Sequence, residues 1–264
     1  VKAPSEGQQG RGASDLSDIF HVGISGARGR MGRAVSQVLD ARGDVMVAAR
    51  FDWGETPDLS LCDVVIDFST AEASVALAQA CAERGGPALV IGSTGFSPEQ
   101  DADILKAAER IAIVRSGNFS LGVNILIGLV EHAAQRLDAR DWDIEITEAH
   151  HRKKVDAPSG TALMLGEAAA SGRGHDLSAL RTAPYDGVGE ARQTGKIGFS
   201  SIRAGGIVGE HTVLFASEDE VVTLSHSAID RSLFARGAVA AAAWVRNRRP
   251  GLYDMQDVLG FRQA

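Results

Sequence analysis

A chain of 264 residues has room for one large or two modest domains, each with a substantial core. Its net charge of -7 argues against broad binding to nucleic acid or to an anionic membrane, and 44% hydrophobic with 23% charged residues is a globular composition. No apolar run is long enough to span a bilayer, and Cys62 and Cys81 have no metal-ligand spacing. The expectation is a cytoplasmic protein in a reducing compartment, without a metal, a nucleic-acid partner or a membrane partner.

Residues 1–18 are polar, rich in Gly, Ser and Gln, and without periodicity; they are expected to form a flexible extension outside the fold. Residues 21–40 then give a short apolar strand, a glycine-rich turn and an amphipathic helix. Gly26, Gly29 and Gly32 are spaced G-x-x-G-x-x-G, a departure from the common G-x-G-x-x-G dinucleotide fingerprint. The physical logic is shared: glycine lets the backbone turn tightly and approach a pyrophosphate seated on the helix N-terminus. Arg28, Arg30 and Arg33 add charge nearby.

A second strand over 45–52 ends in Asp52, placed where an acid meets the adenosine ribose of NAD, or where an ordinary turn acid sits. Arg50 beside it could instead take a 2′-phosphate, so either NADH or NADPH fits. The apolar run at 62–70 reads as a strand buried on both faces, and a helix carries the chain to a fourth strand ending in Gly92, Ser93 and Thr94. After another helix, a fifth strand ends in Ser116, Gly117, Asn118 and Phe119. Strands alternating with helices predict a doubly wound parallel sheet of Rossmann type over 19–118, with its ligands at the carboxyl ends of the strands.

A helix over 121–138 opens a second, α+β domain expected over 119–230 for substrate binding and oligomerisation. A strand at 143–147 leads into the segment EAHHRKKVDAPSGTAL at 148–163. Residues 171–191 read as a long loop. Three strands within 195–230, joined by short turns, suggest a mixed or antiparallel sheet. A helix over 231–248 could return to the first domain, so that residues 231–264 would join it.

The central segment carries the chemistry. Histidine is the side chain suited to proton donation at physiological pH, which makes His150 and His151 candidates. Arg152, Lys153 and Lys154 supply positive charge, and Ser159 or Thr161 can cap the following helix. A helix N-terminus with free N–H groups suits a carboxylate. These parts fit an anionic substrate that must be protonated. A solvated basic loop would show the same residues.

The chain resembles the bacterial 4-hydroxy-tetrahydrodipicolinate reductase family, also called dihydrodipicolinate reductases. GARGRMG, VIDFST, VIGSTGF, GNFSLGVN, EAHHRKKVDAPSGTA, IGFSSIRAGGIVGEHTV and GLYDMQDVLG carry the resemblance over about residues 21–260. It implies reduction of a small cyclic dicarboxylate to tetrahydrodipicolinate with NADH or NADPH, in diaminopimelate and lysine synthesis, usually by a homotetramer. It further implies that Gly26, Ala27, Arg28, Gly29, Arg30 and Met31 bind the cofactor pyrophosphate and Asp52 the ribose. Gly92, Ser93 and Thr94, with Ser116, Gly117, Asn118 and Phe119, would surround the nicotinamide. By the same resemblance His150 is the catalytic proton donor and Lys154 the second catalytic group. His151, Lys154, Gly160 and Thr161 would bind substrate. The departures are Lys153 where many relatives have histidine, Trp53 after the ribose acid, and a short stretch between Asp52 and Cys62. The alternatives are a related aspartate-type dehydrogenase or a dinucleotide-sensing protein without catalysis.

Overall fold

A computed structural model of the chain describes residues 19–262. The first sheet is built from β1 (Phe20–Ser25), β2 (Val45–Phe51), β3 (Val64–Asp67), β4 (Ala88–Ile91), β5 (Ala112–Arg115) and β10 (Gly251–Tyr253). All its pairings are parallel, in the order β10-β5-β4-β3-β1-β2. The chain leaves β1 toward β2 and then returns to the other side of β1 for β3. That reversal opens a crevice at the strands' carboxyl ends.

Helices α1 (Arg30–Asp40) and α7 (Ser232–Val245) cover one face of this sheet; α2 (Ala71–Arg84) and α3 (Pro98–Ala108) cover the other. Val22, Ile24, Val64, Ile66 and Val90 pack toward α1 and α7, whereas Val65, Leu89, Ile91 and Ile113 pack toward α2 and α3. The near-continuous apolar strands reflect burial on both faces. Two close approaches fix the helices. A Cβ on Gly32 would lie 2.2 Å from the Gly26 carbonyl oxygen, and one on Gly237 would lie 1.6 Å from that of Phe119. Glycine at these points lets α1 press on its own turn and α7 press on the loop after β5.

The second unit has α4 (Leu121–Arg136), β6 (Asp143–His150), α5 (Gly160–Gly172), α6 (Leu177–Leu180), β7 (Ile197–Arg203), β8 (Glu210–Ala216) and β9 (Val221–Ser227). The last helix is α8 (Met255–Val258). The sheet order is β7-β6-β8-β9, with α4 and α5 packed on one face.

Three local expectations need correction. β7 and β8 are consecutive but not paired: β6 lies between them, parallel to β7 and antiparallel to β8. The β7–β8 turn closes over the end of β6, where the Ala204 N–H donates to the His150 carbonyl at 2.9 Å and the Arg152 N–H to that of Gly205 at 3.2 Å. β6 itself runs on to His150, beyond the expected end at Thr147, because both neighbours pair with its last residues. The stretch 171–191 is not all loop. α5 continues to Gly172, whose missing side chain lets it meet the Glu131 carbonyl of α4, and α6 follows. The expectation for residues 1–18 lies outside the described residues.

Candidate active site

Four helices begin with a hydroxyl side chain accepting a backbone N–H: Thr70 for α2, Ser97 for α3, Ser120 for α4 and Ser159 for α5. α1 does not. Its N-cap is Gly29, with no side-chain cap and no acid in the first turn. Its orphan N–H groups and the positive end of its dipole therefore face the turn of Gly26, Ala27 and Arg28. Gly26 holds φ +73°, and a Cβ there would meet the Phe68 carbonyl at 2.9 Å. Ala27 donates its N–H to the Phe51 carbonyl at 3.2 Å, tying the turn to the end of β2. Arg30 and Met31 form the first turn of α1, Arg30 exposed and Met31 packed on the core.

Asp52, just past β2, accepts the Arg28 N–H at 3.3 Å. Beyond it, residues 52–63 pass to β3 without a helix, leaving an apolar cavity of about 650 Å³ between this crossover and α2. Asp52, Trp53, Ala73, Ala76 and Leu77 are among its walls.

At the ends of β4 and β5, Gly92 lies against the Phe68 ring, and Ser93 is buried while Thr94 is exposed. Ser93 Oγ meets Ser74 Oγ at 2.5 Å, and Ser74 in turn hydrogen-bonds the fully buried Asp67 carboxylate. That chain of hydroxyls fixes the Ser93 loop. Ser116 Oγ donates to the Asn118 carbonyl at 2.7 Å, Gly117 is exposed, and the buried Phe119 ring meets Phe68 edge-on at 5.7 Å. A second cavity of about 590 Å³ opens between these two loops and α4 and α5. Asn118 Nδ2 donates to Thr161 Oγ1 at 3.0 Å, a direct bond between the strand-end loops of the first sheet and the first turn of α5.

In the second sheet, strand alternation puts Ile144, Ile146, Glu148 and His150 of β6 on the face toward the helices. The first two are core residues; the last two replace apolar packing by a carboxylate and an imidazole. Ser201 of β7 and His211 of β8 flank Glu148 in register, and Arg203 flanks His150. The Glu148 side chain is 1% exposed and makes a forked pair with Arg203, at 2.7 Å to Nη2 and 2.9 Å to Nη1. It also accepts the Ser159 N–H at 3.2 Å and meets His150 Nδ1 at 2.6 Å. Burial alone would raise its pKa; hydrogen bonds from Arg203, Ser201 and His150 outweigh that and hold it at about 2. The ionised carboxylate is an acceptor only, so His150 carries its proton on Nδ1 and turns Nε2 away from Glu148.

His211 stacks edge-on against His150 at 5.1 Å, and its Nε2 lies 3.1 Å from Ser159 Oγ. Burial, then the neighbouring His150, push its pKa down to about 4. It is therefore neutral in the folded protein, whereas the unfolded chain would protonate it below about 6.5. Its stabilising effect is complete above pH 6.5 and is lost as pH falls toward 4, a change of roughly 3 kcal/mol. Urea titrations between pH 7 and 4 should show that slope, and His211→Gln should flatten it. An equally steep slope in the variant would place the acid sensitivity elsewhere.

Lys154 Nζ pairs with Asp156 at 2.9 Å rather than with Glu148, and His151 is half-buried at the start of the same loop. Ser159 takes the Ala162 N–H at 3.2 Å. The N–H groups of Gly160 and Thr161 find no acceptor among the described residues, so α5 also presents an anion-ready end. Sequence reasoning missed Glu148, Arg203, His211 and Asp67. Alternation along β6 could have flagged Glu148, since it shares a face with His150. Arg203 and His211 come from other strands and leave no local signal.

Family models described as dihydrodipicolinate reductase, N-terminus and C-terminus, match residues 20–119 and 122–259. The chain is 61% identical to 4-hydroxy-tetrahydrodipicolinate reductase of Caulobacter vibrioides, over 94% of this chain and 100% of that one. The chain belongs to the dihydrodipicolinate reductase family. The Roseobacter denitrificans reductase is 47% identical, again over 94% of this chain and 100% of its own length. A structure described as dipicolinate-bound dihydrodipicolinate reductase from Paenisporosarcina sp. TG-14 has a TM-score of 0.73 at 24% identity. It covers 89% of this chain and 97% of that one, a likeness of fold. No helix among the described residues is long and apolar enough to cross a membrane.

Proposed function

We propose that the chain reduces 4-hydroxy-tetrahydrodipicolinate to tetrahydrodipicolinate with NADH or NADPH and a proton, the 4-hydroxyl leaving as water, in diaminopimelate and lysine synthesis. Family membership names the reaction, and the observation that carries the residue assignment is the bond between Asn118 and Thr161. It places the strand-end loops of a dinucleotide fold against an anion-ready helix end next to His150. On this reading residues 19–118, joined by 231–264, hold the cofactor, and residues 119–230 hold substrate.

The residues fit a dinucleotide. The uncapped start of α1 receives the pyrophosphate on the free N–H groups of Arg30 and Met31; the turn of Gly26 to Gly29 lets it approach, and Arg30 adds charge. Asp52 accepts from the ribose, and the apolar cavity beside it takes the adenine. Gly92, Ser93 and Thr94, with Ser116, Gly117, Asn118 and Phe119, enclose the nicotinamide. When bound, the cofactor supplies a hydride.

The chain supplies the rest. The Gly160 and Thr161 N–H groups, with His151, hold one carboxylate of the ring. Lys154 neutralises the other and stabilises charge that develops on the ring. His150, held by Glu148 through Nδ1–H, presents Nε2; a second proton taken there from solvent is the one it gives to complete the reduction. Arg203 keeps Glu148 ionised, so Glu148 orients His150 and balances its charge.

The assay is loss of nicotinamide absorbance with substrate made in situ from pyruvate and aspartate semialdehyde by a separate synthase. Oxidation should require the synthase. Reduction of NAD+ or NADP+ by L-aspartate, read as a gain of nicotinamide absorbance, would replace this reading by an aspartate-type dehydrogenase.

The protein acts in the cytoplasm as a homotetramer, assembled through the helix-free face of the second sheet. That face leaves Ile202 49% and Val221 59% exposed, large apolar side chains suited to an interface. Light scattering should give the mass of four chains; a monomer would refute the assembly.

A further inference from the structure

We propose that Glu55 makes this chain select NADH over NADPH; the proposal rests on the reading of the first sheet as a dinucleotide site. After β2 the backbone turns back at once, the Glu55 N–H donating to the Asp52 carbonyl at 3.1 Å. The turn lays the Glu55 carboxylate over Asp52: one oxygen accepts the Asp52 N–H at 2.9 Å, the other the Arg28 Nη2 at 2.6 Å. Arg28 Nε lies 3.5 Å from Asp52, and its backbone N–H also points at that carboxylate. Two carboxylates thus share one guanidinium, and the cluster is left with one net negative charge.

Asp52 alone would be balanced by Arg28, whose outer nitrogen would then be available to a phosphate. Glu55 occupies that nitrogen. Hydrogen bonds from the Asp52 N–H and Arg28 hold Glu55 below the usual carboxylate range, so it stays ionised at neutral pH. Arg50, the cation two residues before Asp52, is also committed. Arg50 points along α1, with Nη2 3.1 Å from Asp40 and Nε 3.4 Å from Ser36. The residue after Asp52 is Trp53, which brings no charge. A ribose 2′-hydroxyl can donate to Asp52, whereas a 2′-phosphate brings close to two negative charges against a cluster whose guanidinium is already shared by two carboxylates.

The test measures kcat and KM for NADH and NADPH in the wild type, Glu55→Gln and the double variant Glu55→Gln/Arg28→Ala. Calorimetric titration of both dinucleotides onto each protein accompanies the kinetics. The wild type should favour NADH by about tenfold or more in kcat/KM, a modest repulsion across a solvated site. Glu55→Gln should cut that ratio by about tenfold, mainly through a lower KM for NADPH, with kcat moved far less. Removing Arg28 as well should abolish the gain, because the freed guanidinium produces it. Equal use of both cofactors by the wild type, or an unchanged ratio in Glu55→Gln, would overturn the role of Glu55 while leaving the dinucleotide site intact. Failure of both dinucleotides to bind the wild type would overturn the site itself, and the proposal with it.

Discussion

Replacing His150 by Gln should lower kcat by about 100-fold or more, the usual worth of a positioned general acid, while KM changes only a few-fold. The two quantities separate because the ring substrate is gripped elsewhere, by the start of α5 and by Lys154. Gln is of similar length and retains a hydrogen bond toward Glu148, so the rung of Ser201, Glu148 and His211 should survive. What the amide cannot do is release a proton at neutral pH. The His150 site is also sterically defined: a Cβ on Gly209 would lie 3.1 Å from Nε2. Turnover near that of the wild type would show that another group protonates the ring. A large rise in KM with unchanged kcat would make His150 a binding residue only.

Glu148→Gln should be nearly as damaging to catalysis and far more damaging to stability. Glu148 balances Arg203, whose side chain is only 19% exposed. An amide leaves that cation without a counter-charge, and breaking a buried pair typically costs about 3–5 kcal/mol. The carboxylate also sets the proton of His150 on Nδ1; an amide can donate there instead and select the wrong tautomer. A fall in kcat/KM on the order of 10- to 100-fold is expected at neutral pH. The loss should fall mainly on kcat, because the substrate's carboxylates are held elsewhere and only the imidazole is misoriented. Glu148→Asp should restore part of both losses. A variant that is less stable but has unchanged kcat and KM would reduce Glu148 to a structural role.

The same carboxylate contributes to acid stability with a defined sign. Its pKa is about 2 in the folded chain against 4.5 when unfolded, so its contribution is complete above pH 4.5 and is lost as pH falls toward 2. His211 acts over the separate window between pH 6.5 and 4. Stability should therefore fall over two pH windows, the first owed to a buried neutral imidazole and the second to a buried anion.

The parts legible in the sequence were those that leave a local trace. The spacing of Gly26, Gly29 and Gly32 announces a tight turn, and a Cβ on Gly32 would indeed lie 2.2 Å from the Gly26 carbonyl oxygen. Apolar runs at β3 and β4 announce strands covered on both faces. The parts that were not legible depend on neighbours distant in sequence. β10 is three residues long and becomes a strand by pairing with β5 at the sheet edge. β7 and β8 look like a hairpin, yet β6 enters between them, and only that insertion brings Arg203 and His211 to Glu148. The histidines and lysines of the central segment could be read as chemistry, whereas the network holding His150 could not. Arg50 was open as a phosphate ligand until its bond to Asp40 on the α1 side came into view.

The most direct test of the central claim is to follow deuterium from NADH dideuterated at C4 into the product of the synthase-fed reaction, by mass spectrometry. The account predicts tetrahydrodipicolinate carrying one deuterium from the cofactor, formed by the wild type and strongly suppressed in His150→Gln. Cofactor that binds but passes no deuterium to the ring would contradict it.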